Sequence, residues 1–379
     1  MGTIIQPGLR QGSVTPPASK SHLHRLLIAD FLAGDRSRLG DDPADSQDII
    51  ATKRCLKALD ASGVAKPAGS TNCQLSSTSS SVVLDCGESG STLRFMAPVA
   101  AALGKKATFK KAGRLAERPM IEYPELKSGR HELEGNVSSQ FVTGLLFALP
   151  IVAGDSQIRF LSPLASRGYV DMTLDVIRGA GIVIREVANG YDIPGGQTYR
   201  SQAAIPPEGD WSGAAFWYAA NKIGNQVIVN GMSATSRQPD RRIVAALEQV
   251  GRPGELNVNE FPDSFPILTI AAACTPGVTV FTGIRRLRIK ESDRVAAMAD
   301  VLTKFGVKTE ASEERFVVYG SSEPLKPNAP FTSFGDHRIA MSVAIGATRA
   351  NAPVEIDNIA CAAKSYPNFF AEFGALNLL

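Results

Sequence analysis

The sequence predicts an α/β fold assembled from repeated strand, turn and buried-helix segments. Two observations carry this expectation: six runs of small and apolar residues that have no polar face, and β-branched stretches of strand length lying between them. The punctuation agrees, since each run opens on a polar or glycine-containing turn and closes near Gly, Asn or Pro.

In chain order the helical runs begin with HLHRLLIADFLAG after Lys20-Ser21, LRFMAPVAAALG after the turn at 87–92, and FVTGLLFALP after Ser138-Ser139-Gln140. Then come WSGAAFWYAAN after Glu208-Gly209-Asp210, FPILTIAAAC after Pro262-Asp263-Ser264, and IAMSVAIGA after Gly335-Asp336-His337-Arg338. Helices that are apolar nearly all round belong inside a core, enclosed by sheet, because no side of them gains from facing water. The stretches 81–84, 157–161, 226–229, 278–281 and 315–319 read as strands. The Ser/Thr-rich stretch 70–81 alternates into Val82-Val83-Leu84 and reads as an exposed hairpin without a functional role. The clearest interior break is Ile205-Pro206-Pro207-Glu208-Gly209, a stiff Pro pair followed by a Gly hinge, matched near the start by Pro16-Pro17. Two crossings there give a discontinuous lobe, 1–18 with 208–379, and an inserted lobe, 19–207.

At about 150 residues per domain, 379 residues suggest two domains or one with an internal repeat. With 44% hydrophobic and 20% charged residues the chain can bury large cores and does not read as disordered. Lys plus Arg number 40 against 37 Asp plus Glu, a net +3. That balance, with 7% aromatics, excludes a basic, aromatic-laced nucleic-acid surface and fits small anionic ligands held by local cations. The five cysteines, Cys55, Cys73, Cys86, Cys274 and Cys361, are scattered, which argues against a disulfide framework or a structural zinc. The first residues have no apolar signal region, and no apolar run reaches the roughly 20 residues a bilayer needs, so a cytoplasmic location is expected.

The placement of charge is the most informative feature. Lys20, Ser21 and Arg25 open one helix, Ser138, Ser139 and Gln140 a second, and Asp336, His337 and Arg338 a third. Helix N-termini present unpaired N–H groups and a positive dipole end, so added Lys, Arg and hydroxyls make anion sites. Ser and Asp in such places are also ordinary N-caps, but a cation there opposes the dipole unless an anion or a partner is bound. The segment 285–294 adds five cations and two carboxylates just before the run VAAMADVLTKFG. The plainer reading, a solvated charged turn, is the weaker of the two even for this segment taken alone.

In register, several motifs resemble the 5-enolpyruvylshikimate-3-phosphate synthase (3-phosphoshikimate 1-carboxyvinyltransferase) family of enolpyruvyl transferases. They are Pro17-Ala18-Ser19-Lys20-Ser21 with Arg25, the 87–92 turn with Arg94, Arg114 with Glu117-Arg118-Pro119, and Ser138-Ser139-Gln140-Phe141. Glu208-Gly209-Asp210, Lys290-Glu291-Ser292-Asp293-Arg294, Asp336-His337-Arg338 and Lys364 with Pro367 complete the set, so that the likeness spans about 14–373. The resemblance implies a two-lobed inside-out α/β barrel of repeated βαβαββ units with buried helices, the lobes closing over the substrates. It implies transfer of enolpyruvate from phosphoenolpyruvate to the 5-hydroxyl of shikimate 3-phosphate with loss of phosphate, a step toward chorismate and the aromatic amino acids, without metal or cofactor. By position it implies Lys20, Ser21, Arg25, Ser138, Ser139, Gln140, Ser166, Tyr169, Asp263 and Lys290 as holding shikimate 3-phosphate. Lys20, Gly90, Arg114, Gln140, Arg294, Arg338 and Lys364 would surround phosphoenolpyruvate. Asp263 and Glu291 would transfer protons, with Lys20 and His337 beside them; Glu291 is preferred as donor to the methylene and Asp263 as base, although position alone leaves the roles exchangeable.

The chemistry asks for the same residue types. An enol methylene must gain a proton while a hydroxyl loses one, which needs a positioned acid and a positioned base. Expulsion of phosphate needs cations where its charge develops, and each phosphate brings roughly −1.5 to −2 charges.

Two stretches depart from the family pattern. Only 18 residues separate Pro119 from Ser138, whereas a βαβ unit takes about 30 or more, so part of one repeat of the inserted lobe is expected to be missing. The stretch 251–260 also reads as lacking a strand or hairpin before Asp263. A monomer is expected, with cover of the thinned lobe by a partner subunit as the alternative. Glu88, Ser91 and Arg286 replace residues common in the family, while Gly90 is kept where a larger residue would crowd glyphosate, a phosphoenolpyruvate-like competitor, so sensitivity is expected. Two rival readings stand beside this one: transfer to UDP-N-acetylglucosamine, against which Lys20-Ser21 and a cysteine-free 110–119 segment argue, and an anion-binding homologue without turnover, against which the two carboxylates argue.

Overall fold

Helices that are buried on every side need strands around them, and the computed structural model, which describes residues 2–63 and 81–379, is built on that requirement. In chain order the helices are α1 (Lys20–Leu32), α2 (Gln47–Ala61), α3 (Gly90–Ala102), α4 (Ser139–Ala148), α5 (Arg167–Gly179), α6 (Trp211–Lys222), α7 (Ile243–Gln249), α8 (Phe265–Ala273), α9 (Arg294–Lys304), α10 (His337–Ala347) and α11 (Phe369–Ala375). The six apolar runs are α1, α3, α4, α6, α8 and α10, and in α8 and α10 every residue is buried. The hairpin expected at 70–81 lies outside the described residues, apart from Ser81, which opens the strand Ser81–Asp85.

The chain divides into two compact units, Met1–Ser19 with Glu208–Leu379 and Lys20–Pro207. The first crossing falls one residue later than the sequence suggests, and hydrogen bonding gives the reason. Ser19 N donates to the Glu208 carbonyl at 2.7 Å and Asp210 N to the Pro17 carbonyl at 2.9 Å, so the crossing strands pair with each other inside the discontinuous unit.

Each unit contains a four-stranded sheet of the same design. In Lys20–Pro207 its spatial order is Gly129–Leu133, Ser156–Phe160, Gly190–Ile193, Arg185–Val187, with the first pair parallel and the others antiparallel. In the discontinuous unit the order is Glu255–Asn257, Gly277–Thr282, Arg315–Gly320, Thr309–Ala311, with the same directions. A parallel pair requires a crossover, which α4 supplies in one unit and α8 in the other; α5 and α9 then lead into the closing hairpins. The chain order is therefore βαβαββ twice.

Elsewhere the repeat is cut short. Strands Ser81–Asp85 and Lys106–Lys110 pair in parallel across α3, but from there the chain reaches Gly129 with one 3₁₀ turn, Gly113–Ala116, and no further helix or strand. The apolar face left open is covered by this loop itself: Leu115 and Leu126 are buried in the core of the unit, and Met120, Ile121 and Tyr123 pack against it. The expectation of a missing strand at 251–260 is not met. Glu255–Asn257 occupies that stretch and pairs in parallel with Gly277–Thr282, because five residues after α7 suffice to return the chain to the sheet edge. No hairpin is present there. Among the described residues no helix is long and apolar enough to cross a membrane.

The inner face of α1 carries one histidine. His24 shares a 2.8 Å hydrogen bond from Nδ1 with Thr52 Oγ1 of α2 and meets Phe95 of α3 edge-on, and burial holds its imidazole at about 3, well below its usual 6.5. Between those values the unfolded chain binds a proton that the folded chain refuses, so this contribution to stability is complete above pH 6.5 and shrinks as the pH falls toward 3. By pH 5 the loss is about 2 kcal/mol. Urea unfolding at pH 7 and pH 5 is expected to show a drop smaller by about that amount in His24→Asn, which keeps a short polar group facing Thr52; an equal drop in both proteins would remove His24 from the acid response.

Candidate active site

In the discontinuous unit, chemistry gathers where α8, α9 and α10 begin. Arg294 is the first residue of α9 and is 1% exposed, yet its guanidinium serves three carboxylates. Nη1 donates to Asp263 Oδ1 at 2.8 Å, Nη2 to Glu291 Oε2 at 3.0 Å, and Nε to Asp336 Oδ2 at 2.9 Å. A planar fork with five donors reaches three carboxylates from three separate nitrogens, where a lysine would have to gather all three around one. Asp336 also caps α10, accepting from Arg338 N at 2.9 Å, and receives the Ser292 hydroxyl at 3.0 Å.

Asp263 sits in the 3₁₀ turn Pro262–Ser264, with Lys290 Nζ at 3.6 Å and Arg338 Nη2 at 3.5 Å on its two oxygens. Burial pushes its carboxyl upward, but Lys290, Arg338 and Arg294 together override this against the smaller effect of Glu291 and hold it well below the carboxylate range. Lys290 responds oppositely: burial brings its ammonium down to about 8, although Asp263 opposes the change. Arg338 is buried, donates from Nη1 to the Ser212 carbonyl at 2.8 Å, and has a buried Nε with no hydrogen-bond partner among the described residues. His337 is buried beside Asp336, with Nδ1 3.7 Å from Oδ1, and Lys364 is buried at the end of the 3₁₀ turn Ala360–Lys364. Of the residues that the sequence marks in this unit, Asp263, Lys290, Glu291, Arg294 and Arg338 form one connected cluster.

The inserted unit carries a second set, again at helix starts. Lys20 begins α1, and its Nζ lies 2.8 Å from Asp48 Oδ2 in the first turn of α2. Arg25 turns inward: Nε donates to Thr173 Oγ1 at 2.9 Å, Nη2 to the Tyr169 carbonyl at 2.8 Å, and Nη1 to the Ser21 carbonyl. Its guanidinium lies 5.4 Å from the Phe95 ring centroid, and burial lowers it to about 10 although Tyr169 opposes the change. No carboxylate pairs with it among the described residues, so its charge remains to attract an anion.

Gln140 links α4 to α3, accepting from Arg94 Nη1 at 2.6 Å and donating to Ser91 Oγ at 2.9 Å, while Ser138 caps α4 and Ser139 is buried behind it. Arg94 also donates to the Pro119 carbonyl through Nε and Nη2, at 3.2 and 2.8 Å, which ties Glu117-Arg118-Pro119 to α3. A Cβ on Gly90 would lie 2.9 Å from Arg94 Nη1 and 3.0 Å from Arg118 Nη1, so glycine is what leaves both guanidinium groups in place. The sequence singles out Arg114, but Arg114 is about half exposed with its Nε 3.8 Å from Glu117 Oε2, and the guanidinium beside Gly90 belongs to Arg118. Ser166, buried, precedes α5 at φ 55°, ψ 44°. The one other non-glycine residue at positive φ among the described residues is Phe334, φ 55°, two residues before Asp336. Each such residue costs about 1–3 kcal/mol, and both stand beside marked site segments.

Asp48 is missed by the sequence reading, because nothing local to Ser46-Gln47-Asp48 points at Lys20.

The chain matches the EPSP synthase (3-phosphoshikimate 1-carboxyvinyltransferase) family over residues 5–125, 121–253 and 252–373. It is 35% identical to the 3-phosphoshikimate 1-carboxyvinyltransferase of Clostridium kluyveri, covering 98% of this chain and 96% of that one. It is 33% identical to the protein of the same name from Clostridioides difficile, covering 99% and 98%. The first alignment is 417 positions long against 379 residues here, which leaves at least 38 positions without a counterpart, in keeping with the shortened repeat. Among solved structures, EPSP synthase from Acinetobacter baumannii has the same fold, with a TM-score of 0.72 at 22% identity over 99% of this chain and 98% of that one. The enolpyruvyl transferase NikO from Streptomyces tendae matches with a TM-score of 0.65 at 14% identity, over 99% and 97%.

Removing Arg294 would strand three carboxylates, and breaking buried ion pairs in this way costs about 3–5 kcal/mol. Urea unfolding of Arg294→Met at pH 7 is expected to show a loss of that size, with Arg294→Lys between it and the unaltered protein; equal stabilities would mean that water, not Arg294, satisfies the carboxylates.

Proposed function

The chain belongs to the EPSP synthase family, and from that premise we propose that it transfers the enolpyruvyl group of phosphoenolpyruvate to the 5-hydroxyl of shikimate 3-phosphate and releases phosphate. The observation that carries the reading is a family match over nearly the whole chain. The buried cluster supports it, because it supplies two carboxylates in unequal surroundings and the cations that two phosphorylated substrates require.

In this reading Asp263, ionised in the free enzyme, accepts the proton of the 5-hydroxyl as that oxygen attacks the enol carbon. Glu291 donates a proton to the methylene. Its Oε2 is held by Arg294, and an arriving carboxylate or phosphate competes for that guanidinium. In the collapse of the tetrahedral intermediate Glu291 takes back a methyl proton, the carbon–oxygen bond to phosphate breaks, and the proton held by Asp263 leaves with the phosphate. Lys20, Arg114, Arg294, Arg338 and Lys364 offset the charge that develops on the leaving group. Ser138, Ser139, Gln140, Ser166 and Tyr169, with Arg25 behind them, hold shikimate 3-phosphate. Gly90 is kept at the position where, by the family resemblance, a larger residue would crowd glyphosate, so inhibition by it is part of this reading.

The direct test is phosphate release from phosphoenolpyruvate with shikimate 3-phosphate, with UDP-N-acetylglucosamine, and with neither. Release with shikimate 3-phosphate alone is the expected result. Release with the nucleotide sugar would reassign the acceptor, and none with either acceptor in folded protein would leave an anion-binding homologue. The pH profile checks the electrostatics. With Lys290 brought down to about 8 by burial, kcat/KM for shikimate 3-phosphate falls as the pH rises through that value, because the charged form that holds this substrate is lost. In Lys290→Arg the descending limb is expected at higher pH; an unmoved limb would assign the ionisation elsewhere.

A further inference from the structure

Gln238 lies outside every motif that marks the site, in the coil before the 3₁₀ turn Pro239–Arg242, and is 4% exposed. All of its amide hydrogen-bonding capacity is engaged at the crossings. Oε1 accepts from Ser19 Oγ at 2.8 Å and from Trp211 N at 3.1 Å. Nε2 donates to Glu208 Oε2 and to the Gly209 carbonyl, both at 2.9 Å. Its own N–H donates to Ser236 Oγ at 3.2 Å, and Ser236 in turn donates to Glu208 Oε2. One buried side chain therefore binds the end of the outgoing strand, the start of the returning strand and the first residue of α6.

The fit around it is close. A Cβ on Gly209 would lie 2.6 Å from the Gly231 carbonyl, so the returning strand is pressed against that loop by backbone contact. Ser19 N also donates to the Glu208 carbonyl at 2.7 Å, which makes Ser19 and Glu208 a doubly fastened pair. Lys20 is the next residue after Ser19 and the first of the inserted unit. Its side chain is held by Asp48, but the point from which its backbone departs is set by Ser19, and Ser19 is set by Gln238 and Glu208.

The geometry points to Gln238 as a positioning residue for the transfer reaction: its amide clasps Ser19, Glu208 and Gly209 together and so fixes the origin of Lys20. It touches no substrate in this arrangement and acts through Ser19. The amide is required because the clasp needs an acceptor for two donors and a donor for two acceptors in one planar group, one of those acceptors being a carboxylate. A glutamate keeps the acceptor, loses the donor and faces Glu208 with a like charge.

The inference rests on the reading of Lys20 as a substrate residue, and the test separates the two. Hydrogen exchange at the Ser19, Asp210 and Trp211 amides, followed without ligand, reads the clasp itself. In Gln238→Glu these amides are expected to exchange at least tenfold faster, and kcat/KM for both substrates to fall at least tenfold. The double variant Glu208→Gln/Gln238→Glu restores an amide facing a carboxylate but leaves the Gly209 carbonyl without its donor, and is expected to recover both readouts in part and together. An exchange rate unchanged in Gln238→Glu would overturn the clasp. Faster exchange with undiminished kcat/KM, or a double variant that regains protection but not turnover, would overturn the positioning role. If Gln238→Glu fails to fold, Ser19→Ala, which removes one bond of the clasp, takes its place with the same two readouts and a smaller expected loss, and unchanged values there overturn the inference. Absence of transfer in the unaltered protein would count against the proposed reaction, while the exchange data would still decide the clasp.

Discussion

Burial of whole helices is the constraint from which the rest follows. When every side of a helix is packed, as in α8 and α10, only its ends can meet solvent or a ligand. Functional side chains are thereby confined to helix starts and the turns that precede them, where unpaired N–H groups already favour anions. The marked residues follow this rule in both units: Lys20 at α1, Gly90 at α3, Ser138 and Gln140 at α4, Ser166 at α5, Asp263 before α8, Arg294 at α9, and Asp336 and Arg338 at α10. In each four-stranded sheet two helices, α4 and α5 in one and α8 and α9 in the other, start after parallel strands and so begin at the same end of that sheet.

Placing cations at positive helix ends has an electrostatic cost, and the protein meets it with carboxylates drawn from neighbouring turns. Arg294 is matched by Asp263, Glu291 and Asp336, and Lys20 by Asp48. These pairs offset the cations' charge while leaving them ready to change partners, because an incoming phosphate offers more oxygen atoms and more charge than the carboxylate it displaces. Arg25 is the exception. It is braced by a hydroxyl and two carbonyls, so its orientation is fixed, and among the described residues no carboxylate pairs with it.

This division explains what the sequence could and could not convey. Helices such as α8 and α10 announce themselves because all-round burial writes an uninterrupted apolar run. α2 and α5 have buried stripes, Ile49, Cys55, Leu56 and Leu59 in one and Val170, Leu174 and Ile177 in the other, interrupted by exposed Arg54, Lys57, Arg167 and Arg178, and so escape the same criterion. The cations at helix starts were legible as local chemistry. Their partners were not: Asp48 lies 28 residues from Lys20 and Gln238 lies 219 from Ser19, and only the folded topology brings such pairs together. Arg114 and Arg118 differ for the same reason. Both are arginines in one short loop, and which of them reaches Gly90 is decided by how Arg94 grips the Pro119 carbonyl.

The shortened repeat can be understood on the same footing. Its missing elements lie between the strand Lys106–Lys110 and the strand Gly129–Leu133, whereas the helix starts that carry marked residues lie before the first strand or after the second. A loop in this place leaves every marked helix start where it is, and cover is a matter of apolar area rather than geometry. Leu115, Met120, Ile121, Tyr123 and Leu126 supply that area from a loop. The loop must still bring Arg118 to Gly90, and it does so at its tightest point, where Arg94 binds the Pro119 carbonyl through two nitrogens. The segment is thus free in length on the side that covers the core and constrained at the single place where it meets the site.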